Sequence, residues 1–196
     1  MKTTIISLLV LLFTFAGFAG DAKAVAAGDK APLFTLKNYD GKDVSLQKTL
    51  ADHAFTVVMF ISTRCPVSNG YNERMASLGK AYADKKVAVI GVNANVAEDM
   101  KEIAGHSKEH GFLFPVVKDV SNKIADQYGA QVTPEVYVID AKGVVQYHGR
   151  IDDSRNPDKV SVKDLTVALD NLVAGKSVAV KETKAVGCSI KRVQAD

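Results

Sequence analysis

A chain of 196 residues, 47% hydrophobic and 24% charged, is ordinary for one globular domain with a substantial core. Its formal charge of +3 is too small to argue for nucleic acid or an anionic membrane surface as the partner. No internal repeat, phosphate loop, Ser-His-Asp pattern or dinucleotide fingerprint appears, and no cofactor is expected.

In chain order, residues 1–24 read as a signal peptide. Lys2 opens a positive segment, and Ile5 to Phe18 is an apolar run of signal-peptide length, short for a membrane span. Ala22-Lys23-Ala24 fits a small-x-small cleavage pattern, with Gly17-Phe18-Ala19 a second candidate. The expectation is an exported protein, periplasmic or secreted, with residues 25–196 as the mature domain and no stable membrane span after processing. An uncleaved N-terminal anchor is the alternative. Export places the two cysteines, Cys65 and Cys188, in an oxidising compartment.

Ala31 to Leu46 reads as a hairpin, with Asp40-Gly41 as the turn between Phe34 and Leu36 on one side and Val44 and Leu46 on the other. Phe55 to Ile61 is a continuous apolar and β-branched run, the composition of a strand buried on both faces. Ser62-Thr63-Arg64 then turns into Cys65-Pro66, and Pro suits the first turn of a helix, where its missing N–H is not needed. Val67, Tyr71, Met75, Leu78 and Tyr82 recur at helical spacing and predict one helix with one apolar face. Cys65 thus stands where a buried strand ends and a helix begins. Free backbone N–H groups and the helix dipole favour an anion there, and Arg64 adds positive charge. A thiol so placed has a depressed pKa and attacks disulfides or peroxides as its thiolate. The bland alternative is a small buried hydrophobe.

Val87 to Asn93 is a second buried strand, followed by a helix over about 97–110 and an extended piece at Pro115. Asn122 to Tyr128 is a short helix closed by Gly129. Glu135–Asp140 and Val144–His148 form a hairpin around Ala141-Lys142-Gly143, and Ser161–Leu172 is a last helix stopped near Gly175. An irregular tail carrying Cys188 runs from about residue 175. Strands alternating with helices argue for an α/β fold. His106 and His110, four apart, are a candidate metal pair, but no third ligand is evident and a solvated face is preferred, so no metal is expected. Asp152-Asp153 could bind a cation, but a loop charge pair is the preferred reading.

Two motifs carry a family resemblance. Ser62-Thr63-Arg64-Cys65-Pro66 resembles the peroxiredoxin pattern of Thr or Ser, two residues, then the peroxidatic Cys and Pro. It equally resembles the thioredoxin Cys-x-x-Cys-Pro site with Ser62 in place of the first Cys. Thr133-Pro134-Glu135 resembles the loop that carries a cis-proline facing the thiol in thioredoxin-like proteins. With Gly149 to Asp153 and the Gly187-Cys188-Ser189-Ile190-Lys191 ending, the stretch 31–191 is similar to peroxiredoxin-like redoxins of the alkyl hydroperoxide reductase/thiol-specific antioxidant type. The resemblance implies a thioredoxin-like α/β fold with an N-terminal redoxin β-hairpin extension. It also implies departures. Thr133-Pro134 stands near where peroxiredoxins carry a thiolate-binding Arg, and Val58 where they carry a Pro seven residues before the Cys. Arg64 or Arg150 is left as a candidate replacement for the missing cation.

Three functions follow as expectations. The first is hydroperoxide reduction through Cys65, with Ser62 hydrogen-bonding the thiolate, Arg64 and Thr133 contacting substrate, and Cys188 or an external thiol reductant resolving the sulfenic acid. The second is thiol–disulfide exchange with exported proteins, with Pro134 holding the partner's backbone. The third is a non-catalytic binding domain on the same fold. A Cys65–Cys188 disulfide is expected to be reversible, with a static bridge as the alternative. Which oligomer forms is left open.

Overall fold

The computed structural model describes residues 24–194, so the signal-peptide expectation lies outside the described residues. The hairpin forms as expected, β1 (Thr35–Lys37) pairing antiparallel with β2 (Asp43–Ser45), and Gly41 takes the positive φ of +82° that its turn requires. A helix that the sequence reading did not anticipate, α1 (Leu46–Asp52), follows directly. Ser45 caps it by accepting from Lys48 N–H, and Leu46 and Leu50, one turn apart, are its buried face.

The central sheet is ordered β5-β4-β3-β7-β8: β3 (Phe55–Phe60), β4 (Val87–Asn93) and β5 (Val116–Lys118) are parallel, while β7 (Glu135–Asp140) and β8 (Val145–Gly149) run antiparallel. The period of two along β3 explains its unbroken apolar run. Val57 and Met59 face a core shared with Met75, Ile103 and Leu169, whereas Val58 and Phe60 face one shared with Leu46, Tyr128 and Ile190. Helices α3 (Asn72–Tyr82), α4 (Met100–Glu109) and α6 (Asp164–Val173) cover the first face. Helices α1 and α5 (Lys123–Tyr128) and the hairpin cover the second. This is a mixed α/β thioredoxin-like topology with an extra N-terminal hairpin. Among the described residues no helix is long and apolar enough to cross a membrane.

Two expectations are corrected. The helix after Cys65 is not continuous: α2 (Pro66–Asn69) ends at Gly70, and α3 begins after Tyr71. Gly70 is a poor helix residue, and the Asn69 side chain is drawn back to the Thr63 carbonyl at 2.9 Å. The apolar spacing survives the break because Tyr71, Met75, Leu78 and Tyr82 still enter one core. The tail, read as irregular, is an ordered strap. Its residues 181–183 bond along the edge of β8 through His148. Its β9 (Cys188–Ser189) pairs antiparallel with β6 (Val132–Thr133).

Candidate active site

The turn that presents Cys65 is built at the carboxyl end of β3, where the sheet stops and the chain must satisfy its own backbone. Cys65 is the N-cap of α2, with extended φ and ψ, and its sulfur accepts from Ser68 N–H at 3.3 Å. The same sulfur lies 3.4 Å from the Thr133 carbonyl oxygen. Thr133–Pro134 is a cis peptide, as the resemblance implied, and sets that carbonyl against the thiol position.

Cys65 and Cys188 are joined in a disulfide that spans 123 positions, with Cα atoms 5.9 Å apart, inside the range a disulfide needs. Cys188 is opposite Thr133 in the β6–β9 register, so one backbone contact and one covalent bond hold the tail to the two halves of the site. Gly187 makes this approach fit: a Cβ there would overlap the Thr133 backbone. Beyond the cysteine, Ile190 N–H bonds to the Gln131 carbonyl at 2.9 Å, Lys191 N–H to Asn95 Oδ1 at 2.8 Å, and Val193 N–H to Asn122 Oδ1 at 2.7 Å. Cys65 is only 4% exposed beneath this strap, while Cys188 is partly exposed.

Ser62 is buried beside Cys65, but its hydroxyl hydrogen is donated to Glu98 at 2.6 Å. Its oxygen accepts from Cys65 N–H at 3.0 Å and from Arg64 N–H at 3.2 Å. With its single donor spent, Ser62 anchors the cysteine's backbone, where the sequence reading had it bonding the sulfur. Glu98, 3% exposed, also accepts from Thr63 N–H at 2.8 Å and from the Asn93 amide. Arg64 is also held by a carboxylate. Its guanidinium forks onto Glu102 at 2.5 to 3.1 Å, which raises the Arg64 pKa and, with Thr63 Oγ1, holds the Glu102 carboxyl below its usual range. Arg150, the other candidate cation, is bound to Asp164 at 2.8 Å. Among the described residues no lysine or arginine donates to either cysteine sulfur.

The loop behind Pro134 is fixed by Glu135. Its carboxylate accepts from Gln131 and Val132 N–H at 2.9 and 3.2 Å, from Tyr137 OH at 3.2 Å and from His148 Nε2 at 2.7 Å. Burial pushes its pKa up, but the His148 and backbone hydrogen bonds outweigh burial and leave the group below its usual range. The His106 and His110 rings lie 4.4 Å apart and tilted by 59°; His106 Nε2 sits between Asn69 Oδ1 and Asn72 Nδ2, and no cluster of three or more His, Cys, Asp or Glu placed to hold a metal occurs among the described residues. Asp152 is not a free loop charge. It is buried against Arg74, which also bonds the Ser154 and Arg155 carbonyls. Glu98 and Glu102 were missed in the sequence. Their four-residue spacing, on either side of the Asp99 cap of α4, was the available signal that both face one side.

A family model described as the AhpC/TSA family matches residues 27–148. The chain is 31% identical over 146 residues to a thioredoxin-like protein, YneN, of Bacillus subtilis, covering 71% of this chain and 84% of that one. It is 28% identical over 152 residues to the thiol-disulfide oxidoreductase ResA of Halalkalibacterium halodurans, covering 76% and 84%. It is 31% identical over 133 residues to peroxiredoxin Q of Oryza sativa, covering 63% and 58%. A solved structure of a hypothetical protein from Sinorhizobium meliloti, 31% identical, superposes with a TM-score of 0.82 over 88% of this chain and 98% of that one. Since the matched span contains both the Cys65 turn and the cis-Pro134 loop, the chain belongs to the AhpC/TSA family, as a thioredoxin-fold, thiol-dependent oxidoreductase.

Proposed function

We propose that the chain is an exported thiol–disulfide oxidoreductase whose working couple is Cys65 and Cys188. The observation that carries this reading is the placement of Cys188: its backbone is paired with Thr133, the residue before cis-Pro134, while its sulfur is bonded to Cys65. A strand edge beside Pro134 that holds a cysteinyl segment against Cys65 suits exchange between polypeptides.

Each half of the cycle is a pair of thiolate displacements. A reductant thiolate attacks the Cys188 sulfur, the more exposed of the two. A reductant–Cys188 disulfide forms, and Cys65 leaves as the thiolate, accepting from Ser68 N–H. A second reductant thiol, losing its proton, displaces Cys188, which takes up a proton. In the other half Cys65 thiolate attacks a substrate disulfide. Cys188 thiolate then attacks the Cys65 sulfur, closing the intramolecular bond and releasing the substrate as a dithiol.

Hydroperoxide reduction is the second reading, supported by the AhpC/TSA match and the likeness to peroxiredoxin Q. Cys65 thiolate would take the terminal peroxide oxygen as a sulfenic acid, releasing an alkoxide that takes a proton from solvent and leaves as the alcohol, and the Cys188 thiol would condense with the sulfenic acid, releasing water. The weak point is transition-state charge: both candidate cations are bound to carboxylates. Disulfide-reduction and peroxide-consumption assays on one preparation decide between the two. The proposal expects disulfide exchange that Cys65→Ser abolishes, with slow peroxide turnover. Rapid peroxide turnover without disulfide exchange overturns it.

A further inference from the structure

We propose that Glu98 and Glu102 form a two-carboxylate clamp on the Ser62–Arg64 turn that holds the Cys65–Cys188 couple strongly reducing. This deepens the proposed function and rests on its premise that the disulfide is reversible. The two acids reach the turn from the start of α4, four residues apart, and between them they engage the side chain of each of its three residues. Glu98 takes the Ser62 hydroxyl hydrogen and Thr63 N–H. Glu102 takes the Thr63 hydroxyl and the Arg64 guanidinium.

The consequence for Cys65 is electrostatic as well as positional. A disulfide carries no charge, whereas the reduced site has a thiolate to accommodate. The clamp withholds a hydroxyl donor and a cation from that thiolate. It also leaves the Glu98 carboxylate buried only two hydrogen bonds away, through Ser62 Oγ to Cys65 N–H. Both effects disfavour the reduced, anionic form and so favour the disulfide, which means a low reduction potential. Neither glutamate touches the sulfur, so both are positioning residues. Glu98 also ties the turn to β4 through the Asn93 amide, whose Oδ1 accepts from the buried Lys118 Nζ at 3.1 Å.

The test is the reduction potential of the full chain, titrated in glutathione buffers, for wild type, Glu98→Gln and Glu102→Gln. Alkylation of Cys65 against pH is measured alongside in a Cys188→Ser background. A purely structural role would change the melting temperature and leave the equilibrium with glutathione and the alkylation midpoint where they were. The clamp predicts that Glu98→Gln makes the disulfide at least tenfold easier to reduce, about 30 mV, and lowers the alkylation midpoint. Glu102→Gln, at a more exposed position that leaves the core untouched, shifts both in the same direction by freeing Arg64. It carries the test should Glu98→Gln fail to fold. Potentials and midpoints equal to wild type in the folded variants overturn the clamp. A wild-type disulfide that never equilibrates with glutathione overturns instead the reversible couple on which it rests.

Discussion

Ser62 has one hydrogen to give and two lone pairs to fill, and the fold uses all three within the Cys65 turn. Ser62→Ala therefore leaves the buried Glu98 short of a donor and two N–H groups short of an acceptor. The expected loss is about 1–3 kcal/mol in chemical denaturation; a change within about 0.5 kcal/mol would contradict the network. His106 supplies a pH-dependent counterpart. Burial, followed by the charge of His110, holds its pKa below the ordinary value of 6.5. The unfolded chain then binds that proton more readily, so this contribution is complete above the ordinary histidine range and is lost as pH falls below it. Denaturation midpoints should decline across that window in wild type and decline less in His106→Asn. The sequence made Cys65 and its helix-cap position legible, because strand, turn and proline signals are local; the Thr133–Pro134 loop was legible only through the family resemblance. The destinations of Arg64 and Ser62 were not legible, because both are decided by glutamates 36 to 38 positions away.

At the scale of elements, β6 and β9 are two residues each and exist through what they hold. Their approach depends on Gly187, whose hydrogen faces the Thr133 backbone at a distance no methyl group tolerates. Gly187→Ala should push β9 off β6 and lower the tendency of Cys188 to close on Cys65. A fall of about tenfold in the equilibrium with glutathione is expected, equivalent to about 1.4 kcal/mol; unchanged closure would show that the pairing does not guide the bond. The strands and helices of the central sheet were readable from period and composition, since β3, β4 and β7 are buried on both faces. The short helix α1 escaped because only Leu46 and Leu50 mark its face. The break at Gly70 escaped because the apolar spacing runs through it. The β6–β9 pair escaped because two-residue strands leave no periodicity to read.

For the whole molecule, the strap and its disulfide tie the end of the chain to its middle. On the chain-entropy model a bridge over 123 positions stabilises the fold by about 5 kcal/mol. Reduction should therefore lower the melting temperature by roughly 10–20 °C for a domain of this size. Calorimetry of oxidised and reduced protein checks this; equal melting temperatures would mean the tail stays closed without the bond. At the other end, we propose residue 25 as the start of the mature domain, because Val25 is buried and its N–H bonds to the Tyr128 carbonyl at 3.0 Å. A chain starting at Val25 should be soluble and unfold cooperatively, and aggregation rescued only by residues 1–24 would contradict that boundary. The central claim is a reversible Cys65–Cys188 couple. Its most direct test is thiol trapping with mass spectrometry through one full cycle of reduction and reoxidation by a disulfide substrate. The account predicts that both thiols appear on reduction, that the Cys65–Cys188 bond returns on reoxidation, and that a Cys188→Ser chain accumulates a mixed disulfide on Cys65. A bond that persists under reductant in the folded protein, or a reduced chain inert to disulfides at Cys65, would contradict it.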